Sequence, residues 1–241
     1  MENLIDGIPY ANLALAFIPI VIVIFIMWRW KLDYKKSIYA VARMLIQLML
    51  IGFSLAYIFE ATSYWIIIVV LMLMLMAASW ISLRTMKMSR KVLFKKAFLS
   101  ILVGGGIVLI LITQGVLQLD PWFLPSYMIP LGGMIFANSM NSISLAGERL
   151  ESEIDKGATY EKARVIALNA ALIPITNSLL AVGLVSIPGM MTGQILSGVS
   201  PFIAARYQIM VMCMIFGSTG ISVSLFLAQL KPDFSVPVRV D

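Results

Sequence analysis

Few side chains in this sequence could do chemistry, and most of those are neutral. Asn138, Asn141 and Ser142 stand at i, i+3 and i+4, the spacing of one helix face. Asn169, Ile173 and Asn177 form a second row with a step of one helical turn, and Arg43 and Gln47 are a third set at i and i+4. Met190 and Met191 lie with Gln194 in the run Gly189-Met190-Met191-Thr192-Gly193-Gln194, where the thioethers could touch a soft metal ion. Carboxamides, hydroxyls and thioethers hold or pass a solute rather than turn one over. The chain has no histidine and one cysteine, Cys213, which argues against a zinc or haem site and leaves no internal disulfide. No set of acid, base or metal suited to an enzyme is assembled. A GxxxxGK[ST] loop is also missing, so any ATP must be bound by another chain.

Each feature has two readings. The Asn and Ser rows sit in apolar runs, where polar groups need partners, so they are expected to face a bundle interior. There they act as hydrogen-bonded glue between helices or as the lining of a path for a polar solute, and spacing does not separate the two. Arg43 either snorkels or pairs within the structure, or serves such a path. The GxxxG spacing of Gly189 and Gly193 is a weak packing signal, and the 17 methionines read mostly as lipid-facing or core residues. Glu60 reads as an interface residue or a cation ligand.

The charge is concentrated in one island, ERLESEIDKGATYEKAR (148–164), which holds Glu148, Arg149, Glu151, Glu153, Asp155, Lys156, Glu161, Lys162 and Arg164. The spacing predicts a short helix, a turn at Gly157 and a second helix start. Arg149 and Glu153 can pair at i, i+4, and Thr159 can cap the segment from Tyr160. The Asn-bearing apolar runs flank this island on both sides. It reads as the place where a soluble partner grips a membrane protein, or as an ordinary solvated loop.

Composition identifies the scaffold that must position these residues. Hydrophobic residues make up 61% of the 241, and charged residues 12%, against about 25% in a soluble domain. Apolar runs near the ~20 residues that cross a bilayer recur along the chain, at 8–28, 37–59, 64–81, 97–117, 126–146, 165–186 and 209–230. Pro19 is expected to kink the first, and Gly104, Gly105 and Gly106 to let another helix approach the fourth. The glycine-rich segment 187–208 is a candidate re-entrant stretch, tolerable only where protein or water satisfies its backbone. The predicted fold is all-α: one transmembrane domain over 1–241, a polytopic membrane helix bundle of about seven transmembrane helices. With the amino terminus outside, every one of the 18 Lys and Arg residues except Arg43 and Arg206 falls on the cytoplasmic side. That orientation makes the island and the carboxyl terminus cytoplasmic. The net charge of +6 is thus a property of the joints, suited to anionic membrane lipid, and nucleic acid is not an expected partner. The acidic start MENLIDG has no basic n-region, so no removable signal peptide is expected.

The runs IPLGGMIFANSMNSISLAGERL (129–150), GATYEKAR (157–164), ALIPITNSLLAVGLVSIPGMMTGQILSG (171–198) and SPFIAARYQI (200–209), with a weaker VARMLIQLMLIG (41–52), carry a resemblance. The chain resembles the FetB-like family, permease subunits of iron-export ABC transporters, related to plant aluminium-tolerance permeases. That resemblance implies a multi-pass protein of the plasma (bacterial inner) membrane. It further implies a homodimer of permeases on cytoplasmic ATP-binding cassette subunits, which hold ATP-Mg while this chain binds no cofactor. Residues 147–164 would then be the coupling segment, with Glu148, Arg149, Glu153, Gly157, Ala158, Glu161 and Ala163 in it. The candidate translocation path is Arg43, Gln47, Asn138, Asn141, Ser142, Asn169, Asn177, Met190, Met191 and Gln194; no metal ligands are identified. The implied cargo is a metal cation, iron first, moved outward by alternating access. The competing readings are a non-transporting scaffold or regulator and a permease for another cargo such as lipid.

Overall fold

Apolar runs that hide their own backbone polar groups from lipid must close their hydrogen bonds internally, and helices do so. The structure is a computed structural model and describes residues 9–59 and 63–234. Among these residues the only β feature is a single bridge between Val182 and Ser186. Glu60 lies outside the described residues, as does the end of the tail from 235 onward.

The chain divides into two compact units, Met1–Glu60 and Ala61–Asp241. In the first, α1 (Tyr10–Leu15) and α2 (Ile18–Arg29) are separated by a break at Ala16 and Phe17, and α3 spans Tyr34–Phe59. The expected kink is therefore a helix break just before Pro19, which takes a first-turn position of α2 where its missing N–H costs nothing. Ser37 Oγ donates to Met27 Sδ at 3.4 Å, joining α2 and α3. Asp33 pairs with Lys36 at 2.7 Å in the basic joint between them.

The second unit is a bundle of α4 (Tyr64–Ser82), α5 (Arg90–Ile110, continued as a π turn over Leu111–Val116), α6 (Pro125–Asp155), α7 (Tyr160–Ala181), α8 (Gly189–Leu196) and α9 (Pro201–Phe234). Helix α9 packs on α5, α6, α7 and α8, and α4 packs on α5 and α6. Phe226, Ile101, Ile135, Ile143 and Met214 fill the interior. Small residues bring the helices close: a Cβ on Gly104 would lie 2.5 Å from Ser222 Oγ of α9. Gly105 faces Ile135 of α6 in the same way, whereas Gly106 faces open space. Several buried hydroxyls avoid an unmet donor by bonding back one turn, as Ser79 does to the Leu75 carbonyl (2.7 Å) and Ser100 to that of Lys96 (2.8 Å).

Six helical stretches are long and apolar enough to cross a membrane: Tyr10–Arg29, Tyr34–Ser54, Tyr64–Ser82, Arg90–Val116, Tyr160–Ala181 and Pro201–Lys231. The protein is a multi-pass membrane protein. The 31-residue α6 falls outside that set, its apolarity diluted by Asn, Ser and the charged island. Aromatic rings mark both ends of α4. Tyr64 clusters with Trp65, Trp122 and Phe123 at one end, and at the other Trp80 meets Phe94 and the Arg90 guanidinium. At 1.5 Å per residue the two belts are about 24 Å apart along the helix.

Element boundaries differ from the expected spans. Helix α6 does not stop at 146 but runs on to Asp155, α7 starts at Tyr160 and ends at Ala181, and α9 begins at Pro201. The expected spans were cut to hydrocarbon thickness, while real helices project beyond it. Residues 187–208 are thus a turn, the two-turn α8, a second turn and the start of α9.

Candidate functional site

Two regions at opposite ends of the second unit collect the polar chemistry. The first is the charged end. Helix α6 closes in a Schellman motif: Ala158 N–H donates to the Glu153 carbonyl (3.1 Å) and Gly157 N–H to that of Ile154 (2.8 Å). Gly157 sits at φ 88°, the left-handed conformation that glycine adopts without penalty. Thr159 occupies the N-cap position of α7 in extended conformation, but its side chain makes no capping bond. The expected Arg149–Glu153 pair is present at 3.0 Å, and Lys156 adds a second cation to Glu153 at 3.1 Å. The hydrogen bond from Lys156, with help from Arg149, holds the Glu153 carboxyl below its ordinary range.

Neighbouring elements lock this turn in place. Tyr160 is buried and donates its hydroxyl to the Leu227 carbonyl of α9. Glu161 pairs with Lys231 at 3.2 Å. Glu151, 6% exposed, accepts the backbone N–H groups of Lys87 (2.8 Å) and Met88 (3.2 Å) from the α4–α5 loop. Lys87 Nζ meets Asp155 at 2.5 Å, and that carboxylate raises the lysine's pKa. Of the expected coupling residues, Glu148, Gly157 and Glu161 are exposed, Arg149, Glu153 and Ala158 half-buried, and Ala163 fully buried.

The second region lies between α6, α7, α8 and α9. A cavity of about 510 Å³ is lined by Asn138, Asn177, Ser178, Met134, Met190, Gln208 and Met212, among others. A neighbouring cavity of about 610 Å³ shares Met134 and Met190 and adds Gln194, Tyr127 and Tyr207. Asn138 Nδ2 donates to the Met134 carbonyl of its own helix at 2.8 Å. Gln208 is 6% exposed, and its Oε1, like that of Gln194, is buried without a hydrogen-bond partner. In a low-dielectric interior such an acceptor is costly to leave unmet. The lining is mostly apolar, and its polar groups are neutral carboxamides and hydroxyls, with thioethers beside them. Among the described residues no group of three or more His, Cys, Asp or Glu could hold a metal ion.

The expected polar rows are only partly gathered. Asn138 and the buried Ser142 turn toward the bundle, but Asn141, Asn169 and Asn177 are exposed on the outer faces of α6 and α7. Asn177 reaches the rim of the 510 Å³ cavity, whereas Asn169 lines two other cavities nearer the charged end, one with Arg149 and one with Arg164. Met191 lines a third, mostly apolar cavity with Met212 and Cys213. Arg43 and Gln47 share a face of α3 in the first unit and are exposed. Three residues not singled out from sequence are structurally central: Glu151, Tyr160 and Gln208. For Glu151 a signal existed, since Ser144, Gly147, Glu151 and Asp155 fall on one helical stripe once α6 is known to reach that far.

The profile of the uncharacterised protein family UPF0014 matches residues 10–234. A UPF0014 membrane protein of Synechocystis is 38% identical over 202 residues, covering 78% of each chain. The probable iron export permease protein FetB of Escherichia coli is 36% identical over 228 residues, 88% of this chain and 86% of that one. The protein ALUMINUM SENSITIVE 3 of Arabidopsis thaliana is 33% identical over 226 residues, 87% and 81% of the two chains. No solved structure matches the chain.

Proposed function

The chain belongs to the UPF0014 family, and from that premise we propose that it is the membrane permease subunit of an ABC transporter that exports a metal cation, iron first. The observation that carries this reading is mechanical. The charged segment 147–164 is a helix–turn–helix with a fixed turn, and its two arms, α6 and α7, are the helices that bear the carboxamides of the cavity and its rim. A soluble ATPase that moves this turn moves the lining directly. The similarity to the E. coli relative, a probable iron export permease, supports the cargo class and direction.

In this reading the amino terminus is outside, seven helices cross the plasma membrane, and the coupling segment is cytoplasmic. The whole chain is one permease domain, with the α8 region of 187–208 re-entrant from the outer side. Two copies assemble on two ATP-binding subunits that hold ATP-Mg. Glu148, Arg149, Glu153, Gly157, Ala158, Glu161 and Ala163 form or support the docking turn. Asn138, Asn177, Met190 and Gln194 belong to the path, with Gln208 added, because they line the two adjoining cavities. Alternating access follows from the tilt of α6 and α7 when the ATPases close.

The test is transport by the complex reconstituted with its co-purifying ATP-binding subunit. ATP-dependent efflux of iron, with iron-stimulated ATP hydrolysis, is the expected result. Stimulation by another solute alone would overturn the cargo, and no flux of any solute would leave a scaffold or regulator. A lipid cargo has one favouring observation, the mostly apolar cavity between α7, α8 and α9 lined by Leu179, Ile187, Met191 and Ile209.

A further inference from the structure

The turn between α6 and α7 is not the only polar segment at the charged end. The α4–α5 loop, residues 83–89, is fastened to the same stretch of α6 at every level. Ser144 Oγ donates to the Ser82 carbonyl at 2.6 Å, and Thr85 Oγ1 donates to that of Ser144 at 3.0 Å. Met86 is buried against Gly147, where an added Cβ would lie 2.5 Å from its sulfur. The Glu151 carboxylate then takes two successive peptide N–H groups of the loop, and Asp155 takes the Lys87 ammonium. The fastening residues on α6 recur at helical spacing and end two residues before Gly157.

The loop and the following turn of α5 carry Arg84, Lys87, Lys91 and Lys95 exposed, and no carboxylate of their own. Contact with anionic lipid headgroups needs only charge near the surface and tolerates a mobile backbone. Here a buried carboxylate is committed to fixing the direction of two peptide groups, an arrangement suited to a surface of defined shape. We propose that the α4–α5 loop is the second half of the docking surface for the ATP-binding subunit, held in register with the α6–α7 turn by Glu151, and that it receives an acidic rim of that subunit. Glu151 is a positioning residue in this scheme. The inference rests on the permease reading above and extends the docking surface from an island of mixed charge to a basic loop.

The test uses the full chain in a Cys213→Ser background with its co-purifying ATP-binding subunit. Single cysteines replace Arg84 in the loop, Lys156 in the turn and Leu184 at the opposite end, and a thiol-to-amine cross-linker is applied in membranes. Arg84→Cys and Lys156→Cys are expected to yield cross-linked ATPase, and Leu184→Cys none. Cross-linking from Lys156→Cys alone overturns the inference and leaves the permease reading standing; cross-linking from neither overturns both. A second measurement is independent of cysteine. Arg84→Glu with Lys91→Glu should weaken ATPase binding about tenfold at low salt and less at high salt. Unchanged ATPase binding, with only the affinity for anionic vesicles reduced, would assign the loop to lipid instead. Glu151→Gln cannot accept both N–H groups and should lower the Arg84→Cys cross-link while sparing that from Lys156→Cys; an equal fall at both sites would mean general unfolding rather than positioning.

Discussion

The Glu151 carboxylate accepts the Lys87 backbone N–H at 2.8 Å across 64 residues of sequence, tying the α4–α5 loop to the charged end of α6. Replacing Glu151 with Leu leaves two peptide donors facing an apolar group. A lost charged hydrogen bond of this kind costs about 1.5–3 kcal/mol, or a melting temperature lower by roughly 3–12 °C for a chain of this size. Thermal unfolding of the purified protein in detergent measures it, and Glu151→Gln, which keeps one acceptor, should fall in between.

Gly157 offers a separate test of the turn. Its φ of 88° suits glycine and strains any residue with a Cβ, and nothing lies within 4 Å of the position where that atom would stand. Gly157→Ala should therefore destabilise by about 1–2 kcal/mol through the backbone alone. Gly157→Asn should cost less, because asparagine visits this region more readily. Equal melting temperatures for wild type, Ala and Asn would mean that the turn is not held in this conformation.

Much of the charged end was legible from spacing. Arg149 and Glu153 pair because they are one turn apart, and Gly157 ends α6 because no other residue type there tolerates the left-handed turn so well. The length of α6 was not legible, since an apolar run cut to bilayer thickness stops at 146 while the helix continues on charged residues. The stripe that holds Glu151 appears only once α6 is known to reach that far, and its partners are backbone amides, which carry no sequence signal, on a loop far away in the chain. The Asn rows show the same limit. A step of four residues says that Asn169 and Asn177 share a face, but only packing of α7 on α6 and α9 decides that this face points outward. Gln208 stood in the stretch that read as a re-entrant segment, and only the early start of α9 places it against α7 and α8.

Acid should loosen the turn before it unfolds the bundle. Lys156 and Arg149 hold the Glu153 carboxyl below its ordinary value near 4.5, so the folded form binds that proton less tightly than the unfolded one. The contribution of the pair is then fully present above about pH 4.5 and is lost as the pH falls through the lower folded value. Lys87 behaves oppositely: Asp155 raises its pKa, so its contribution is complete below the ordinary lysine value of 10.5 and fades only at strongly alkaline pH. Hydrogen exchange of the 153–158 amides should be flat from pH 8 to 5, after correction for intrinsic rates, and lose protection below about 4.5. Lys156→Gln should move that loss to higher pH, and an unchanged midpoint would count against the pair.

The carboxamides allow glue and path to be told apart. Gln208 is buried with its Oε1 unpartnered, so as a purely structural residue it is a liability, and Gln208→Leu should raise stability by up to about 1 kcal/mol. If instead Gln208 lines the route of a polar cargo, the same substitution removes an acceptor that the cargo uses. ATP-driven flux should then fall about tenfold, the equivalent of one hydrogen bond near 1.4 kcal/mol. Asn177→Leu, on the exposed rim of the same cavity, should leave the melting temperature unchanged and lower flux in the same way. Leu73, exposed on the apolar outer face of α4, supplies the control, since Leu73→Ala should alter neither. Stability gained with flux intact at Gln208 would make the cavity a packing defect, whereas stability gained with flux lost identifies a residue kept for transport at the expense of the fold.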